Sequence, residues 1–264
     1  LRHTDKPIMS WPVATIGENE KVFKMIEMVM GEGYLASHYF VTASVCALSP
    51  LQYAQEAVDT IIAYARANQP VTVLTAPMTG VSTPISDIGA LVAQNAELLA
   101  GIVLAQLVQP GVPVIYGTAT YAADMRSGAF ITGSPLSNLI DRAALQLAQS
   151  LYHMPTRTLA GNTDAKVPDI QAGYETMQNY IQLLMGGTHM INECLGILDG
   201  MMTVSYEKYI IDEEMLRRVG CMMRGLDTSE ASFDMGVLLE TPHMEPFLMH
   251  ESTLAACSGQ WQPD

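Results

Sequence analysis

Apolar and polar positions follow two rhythms along this chain, and the rhythms alternate on a regular beat. Between 48 and 80, LSPLQYAQEAVDTIIAYARANQPVTVLTAPMTG carries a helical apolar stripe, then a short run with almost no polar side chain. IGALVAQNAELLAGIVLAQLVQPGVPVIYG, 88 to 117, repeats the order: a long apolar helix, a Pro-Gly break and a buried run. Strands buried on both faces belong to parallel sheets covered by helices.

The pattern predicts strands at PIMSWP (7–12), SHYFVTASV (37–45), VTVLT (71–75), PVIYGT (113–118), TRTLA (156–160) and THMINE (188–193). Their starts lie roughly 30 to 40 residues apart, room for one helix and two short loops each time. Helices are predicted over 18–30, 54–67, 86–108, 137–152, 169–185, 212–224 and 229–239, with Ser49-Pro50 read as a helix start and Asp169 as a cap. The helix over 86–108 is apolar nearly all round, which predicts burial on most sides or a subunit interface. Residues 240–264 contain prolines and little periodicity and read as an irregular tail. The fold class is therefore α/β, a TIM-type (β/α)8 barrel in a single domain over 1–264. About six βα units are present, so the ring lacks about two strands. Chemistry in such a barrel belongs at the carboxyl ends of the strands.

Composition narrows the partners. Apolar residues make up 49% and charged residues 15%, which suggests a homo-oligomer. Thirteen Lys plus Arg against 27 Asp plus Glu leave a net charge of -14, a field that repels nucleic acid and attracts small cations. Cys46, Cys194, Cys221 and Cys257 are widely spaced, as reduced thiols of a cytoplasmic protein are. The six histidines form no metal-binding spacing. No uninterrupted apolar run is long enough for a membrane span. LRHTDKPIMSWP has no signal-peptide character and reads like the middle of a chain, which predicts a fragment.

Polar residues collect where strands are expected to end. After VTVLT, the loop 76–84 with Thr79, Gly80 and Ser82 reads either as a seat for the next helix or as a weak anion cradle. Tyr116, at the end of the fourth strand, and Tyr121 and Asp124 after it could form part of a box for a quaternary ammonium; packing is the competing reading. GNTDAKVPDIQAGYE is the richest polar cluster, with Asp164, Lys166 and Asp169 serving a salt-linked loop, a clamp or proton transfer. In the sixth strand, alternation puts His189, Ile191 and Glu193 on one face, which makes Glu193 a carboxylate attractive to a cation and His189 a core or site residue.

PMTGVSTPISDIGALVAQNAELLAGIVLAQLVQPGVPVIYG, GNTDAKVPDIQAGYE and SYEKYIIDEEM together resemble the trimethylamine methyltransferase (MttB) superfamily over essentially the whole chain. Its members are longer, and this chain resembles their central and C-terminal parts. The resemblance implies a TIM-type barrel that takes a methyl group from a methylated amine and gives it to the Co(I) centre of a separate corrinoid protein. The cobalamin then belongs to the partner, and this chain binds no cofactor or metal of its own. Founding members use pyrrolysine; this chain shows none, which favours a quaternary amine such as glycine betaine. The implied roles place Glu193 and Asp164 opposite the ammonium charge, with Tyr116 and Tyr174 as aromatic faces and His189 among the substrate contacts. A betaine carboxylate would meet Lys166, Arg126 or the Thr79–Ser82 loop. The alternatives are a Schiff-base lyase or aldolase using Lys166, or a non-catalytic barrel remnant.

Overall fold

The computed structural model describes residues 8–10 and 15–259, in two compact units, Leu1–Asp212 and Glu213–Asp264. In the first, β1 (Ile8–Ser10) precedes α1 (Ile16–Met30), the single turn α2 (Tyr34–Ser37), β2 (Val41–Cys46), α3 (Gln55–Arg66), β3 (Val71–Thr75), α4 (Asp87–Val108) and β4 (Val114–Thr118). A two-residue pair, β5 (Ala122–Ala123) and β6 (Phe130–Ile131), follows. Then come α5 (Pro135–Gln146) with a π-helical turn (Leu147–Leu151), β7 (Thr156–Leu159), α6 (Ile170–Leu184), β8 (Met190–Asn192) and the pair β9 (Ile197–Leu198) and β10 (Thr203–Val204). The helix α7 (Tyr206–Arg224) contains the unit boundary. In the second unit α8 (Met235–Glu240) and α9 (Glu251–Ala256) are separated by short 3-10 turns.

The six main strands form one parallel sheet in the order β1-β2-β3-β4-β7-β8. Its edges curl toward each other, because Asn192 Nδ2 on β8 donates to Met9 Sδ on β1 at 3.1 Å. An open, curled parallel sheet with a helix between strands is consistent with an incomplete (β/α) barrel. One face packs on the helices: Val41, Ala43, Val45, Val71, Val73 and Tyr116 join Ile61, Tyr64, Leu98 and Ile102 in one core. Alternation therefore turns Thr42, Ser44, Cys46, Leu74, Gly117 and Arg157 to the concave face.

All six predicted strands are present, with shifts at their ends; residues 7, 11 and 12 of the first lie outside the described residues. Elsewhere local chemistry overrides periodicity. Ser49-Pro50 starts no helix: it is a cis turn closed by paired Leu48 and Gln52 backbones, and α3 begins at Gln55. Residues 37–40 are not strand, because Tyr34–Ser37 forms a helical turn and β2 begins at Val41. The α6 reading holds, with Asp169 accepting from Ala172 N at 3.0 Å. The helix read over 212–224 begins at Tyr206, and that over 229–239 is broken at Asp234 by a left-handed φ of 47°. The irregular tail contains α9.

The most unexpected helix is α4. Its buried side includes Gln94 and Glu97, while Ile88, Val92, Val103 and Leu107 are exposed. It is the one helix among the described residues long and apolar enough to cross a membrane, yet it packs against α3, α5, β3 and β4.

Candidate active site

The polar side of α4 explains its inverted pattern. Glu97 accepts hydrogen bonds from Ser49 Oγ at 2.7 Å, Leu51 N at 2.8 Å and Thr75 Oγ1, so one carboxylate ties together the exits of β2 and β3. Gln94 bonds Thr118 and Thr120 at the exit of β4, and Asn95 bridges the hydroxyls of Tyr116 and Tyr152, each at 3.0 Å. Later helices repeat the device. Asp141 of α5 accepts from Thr118 Oγ1 and from Thr120 N at 2.9 Å. Glu175 of α6 accepts from Thr163 Oγ1 at 2.5 Å and Asp164 N at 2.8 Å. Asp212 of α7 accepts from Gly196 N at 2.8 Å and pairs with Lys208 at 2.6 Å, whose Nζ also donates to Gly161 O at 3.0 Å. Buried acceptors cost folding energy unless donors meet them, and here the donors belong to the loops that frame the sheet's carboxyl end.

Burial pushes the Asp141 carboxyl up from 3.8 to about 6, against the hydrogen bonds of Thr118 and Thr120. A raised folded value means that between about pH 4 and 6 the folded chain keeps a proton the unfolded chain has released. This contribution is fully present below the lower value, declines as pH rises, and amounts to about 3 kcal/mol once lost. Asp141→Asn should remove that slope. Urea unfolding of both proteins near pH 4 and near pH 7.5 tests it, and a wild-type minus variant difference that does not change with pH would reject the assignment.

Inside the frame stands a residue absent from the sequence-derived set. Arg157, in the middle of β7, is 2% exposed. Its Nε donates to Asn192 Oδ1 at 2.8 Å, and its buried Nη1 has no partner. The guanidinium is within electrostatic reach of Glu193 after β8, Tyr121 after β4 and Cys46 at the end of β2. Burial lowers the Arg157 value while these groups act to raise it, and burial pushes the Cys46 thiol up. A side chain rooted in mid-strand thus interacts electrostatically with groups at the exits of three other strands. A lone Arg in TRTL, an otherwise buried strand, is the signal that would have found it, because such a charge must face an interior or a mouth.

The sequence-predicted residues divide among several places. Glu193 is exposed and leaves β8 with a left-handed φ of 51°, so the strand alternation stops at Asn192. Asp164 accepts from Thr132 N at 2.8 Å, Thr132 Oγ1 at 3.0 Å and Gly133 N at 3.1 Å. It shares a groove of about 720 Å³ with Asp124, Arg126, Phe130, Lys166 and Met202. In that groove Arg126 pairs with Asp124 at 3.3 Å and Lys166 with Asp199 at 3.8 Å. Tyr116 is fully buried in the helix-facing core of the sheet, its hydroxyl donating to Asn95. Tyr121 instead occupies the exit of β4, edge-on to Phe130 with ring centroids 5.1 Å apart. Tyr174 is exposed on α6. The Thr79–Ser82 loop spends its N–H groups on its own turn and on Tyr121 O, which favours the helix-seating reading over the anion cradle. His189 precedes β8 and accepts from Thr156 N at 3.2 Å at the amino-terminal end of the sheet, away from the strand exits.

Among the described residues no group of three or more His, Cys, Asp or Glu is placed to hold a metal. An open, curled parallel sheet with alternating helices, and with polar groups gathered at the strands' carboxyl ends, is consistent with an incomplete (β/α)-barrel-like fold. The chain belongs to the trimethylamine methyltransferase (MTTB) family, which it matches over residues 1–263. It is 42% identical over 185 residues to a proline betaine:corrinoid methyltransferase of Eubacterium limosum, covering 70% of this chain and 38% of that protein. To a glycine betaine methyltransferase of Desulfitobacterium hafniense strain Y51 it is 41% identical over 189 residues, 71% of this chain and 39% of the relative. A trimethylamine methyltransferase of Desulfitobacterium hafniense strain DCB-2 is 32% identical over 245 residues, 92% and 49% of the two chains. The chain thus spans between about two fifths and one half of these relatives.

Proposed function

We propose that this chain forms part of a methyltransferase that moves a methyl group from a quaternary amine to the Co(I) centre of a separate corrinoid protein. The observation that carries the reading is the set of ionisable groups from β2, β4, β7 and β8 around Arg157, at the end of the sheet where barrel enzymes act. The similarity to methyltransferases whose names include betaines points the same way.

A quaternary nitrogen already carries the charge that lets the amine depart neutral, and Co(I) supplies the nucleophile. This chain's tasks are to hold the N-methyl group in line and exclude water. Positive charge disperses as the methyl transfers, so a tight ion pair would favour the bound ground state. An exposed Glu193, within electrostatic reach of a guanidinium, is a suitably weak counter-charge. Tyr121 takes the aromatic role first read for Tyr116. Asp164 holds the 132–133 loop, and with Arg126 and Lys166 belongs to the rim facing the corrinoid partner. Tyr174 and His189 stand apart from this centre.

The proposal includes a cytoplasmic homo-oligomer covering the outer face of α4, with no nucleic acid or membrane partner and with cobalamin carried by the partner protein. It keeps the chain as one barrel domain. Lys166 is 82% exposed and paired with Asp199, the setting of a solvated lysine, which gives no support to imine chemistry.

An anaerobic assay with the reduced corrinoid protein and a panel of glycine betaine, proline betaine and trimethylamine tests the reading. Loss of the Co(I) absorbance with a quaternary donor is expected, and no loss with any donor would reject it. Glu193→Gln should raise KM about fivefold, the scale of an exposed ion pair, with a smaller change in kcat.

A further inference from the structure

The outer face of α4 carries a pattern that an ordinary solvated helix does not. From Ile88 to Val108 its exposed positions are Ile88, Val92, Ala96, Ala100, Val103 and Leu107. They recur three or four residues apart and so form one stripe. Every one is apolar, and the four large ones are each more than half exposed. Apolar residues scattered singly over a surface need no explanation, but a continuous stripe marks a surface that something covers.

Charge and size together say what covers it. Between Ile88 and Val108 the one charged side chain is Glu97, which is buried on the opposite side of the helix. The whole chain carries a net charge of -14, so two copies repel each other over most of their surface, and a neutral face such as this one lets them meet without opposing like charges. The stripe also runs large, large, alanine, alanine, large, large, and reads the same from either end. A two-fold contact pairs residue i with j and j with i. Antiparallel packing of α4 on its copy therefore sets Ala96 against Ala100, Val92 against Val103 and Ile88 against Leu107. The alanines let the helix backbones approach, and the branched side chains fill the ends. Beside Ile88 a groove of about 140 Å³, lined by Leu91, Leu136 and Leu139, opens between α4 and α5, where Leu107 of the second copy arrives. The stripe is about 29 Å long, and with the flank of α5 the two copies bury on the order of 1,000 Å², the lower bound for a specific interface.

We infer that α4 packs antiparallel on the α4 of a second copy of this chain, with the two-fold axis passing between Ala96 and Ala100. This deepens the homo-oligomer of the proposed function and rests on that part of it alone.

Sedimentation velocity of the full chain, from low to high micromolar concentration, reads the association. The wild type should form a dimer, and Ala96→Glu should weaken it about 100-fold or more, because two symmetry-related carboxylates would be buried without partners. Ala96 is exposed in the single chain, so the circular dichroism spectrum should not change. A second measurement fixes the register. Val92→Cys and Val103→Cys should form a disulfide with each other when the two variants are mixed and oxidised, and neither with its own copy, since antiparallel pairing holds like positions on the order of 16 Å apart. The wild type under the same oxidation gives the background of the four native thiols. A wild type that stays monomeric overturns the inference; if that monomer also sediments with phosphatidylcholine vesicles, the stripe serves a lipid surface instead. A dimer untouched by Ala96→Glu also overturns it, as does cross-linking of each cysteine variant with itself. The cysteine pair decides the case if Ala96→Glu fails to fold. Dimerisation through another face rejects this pairing and keeps the oligomer of the proposed function, a monomer rejects both, and neither result bears on methyl transfer to Co(I), which the corrinoid assay reads.

Discussion

Asp212→Ala should cost about 3–5 kcal/mol of folding stability, the penalty for leaving one member of a buried ion pair alone. Lys208 and Asp212 are 1% and 0% exposed. Without the carboxylate, the ammonium keeps only Gly161 O, and Gly196 N loses its acceptor. Burial already pushes Lys208 down and Asp212 up, and their hydrogen bond and mutual attraction work against both shifts. Removing both charges is a different experiment. A Lys208→Met, Asp212→Leu double variant leaves no orphaned charge and should lose only about 1–2 kcal/mol, for Gly196 N left unpaired and Gly161 O left with Thr176 Oγ1 alone. Denaturant unfolding of wild type, both single variants and the double variant completes the cycle. Additive losses would show that the pair is not coupled as its geometry requires.

The sheet was legible because its strands differ from their surroundings in composition. VTVLT is buried at every position, and its predicted bounds match the observed ones. Helix ends were less legible where side chains compete with the backbone: Ser49 reads as a cap, but its hydroxyl is taken by Glu97 from 48 residues away. The two-residue pairs β5–β6 and β9–β10 are too short to carry a period. The same limit applied to the site. Asp164 and Glu193 were found at strand exits because polar clusters in an apolar chain stand out. Tyr116 was misplaced because alternation shows that neighbours face opposite sides without showing which side faces the helices. Val73 pairs with Tyr116 in register and both belong to the helix-facing core, a fact that needs the sheet. Arg157 was passed over as a strand residue, although a charge in a buried strand is the rarer signal.

The hydrogen bonds give the conspicuous Gln-Asn-Ala-Glu and Thr-Asp-Ala-Lys runs an anchoring task. Gln94, Asn95 and Glu97 bond strand exits from the helix side, while Thr163 and Asp164 hold a loop and are held by Glu175. Each is spent on structure before any donor arrives. Two of the buried polar atoms without a hydrogen-bond partner among the described residues, Arg157 Nη1 and Ser44 Oγ, lie on the concave face. On the proposed reading, the helix side of the sheet supplies preorganisation and the concave face the chemistry, as a positioned reaction centre requires.

Gly161→Ala should reduce the proposed methyl transfer about 100-fold, the scale of a displacement of about 1 Å in a reacting site. Gly161 follows β7 with φ +89°, and a Cβ there would lie 2.2 Å from Cys194 O and 2.7 Å from Cys194 C. The obstacle is backbone, so no rotamer relieves it; the exit of β8 must move, taking Asn192 and Glu193 with it. Tyr180 resists that movement through its hydrogen bond to Cys194 O, and Lys208 holds Gly161 O from the other side. The left-handed conformation adds about 1–2 kcal/mol of strain for any residue with a Cβ. Gly173 provides the control. It lies inside α6 with nothing within 4 Å of an added Cβ, so Gly173→Ala should stabilise the protein by about 0.5–1 kcal/mol and leave the rate unchanged. Thermal melts read the first difference and the corrinoid assay the second. If the two alanine variants were equally stable and equally active, the β7 and β8 exits would not be packed closely enough to position Arg157 and Glu193 together.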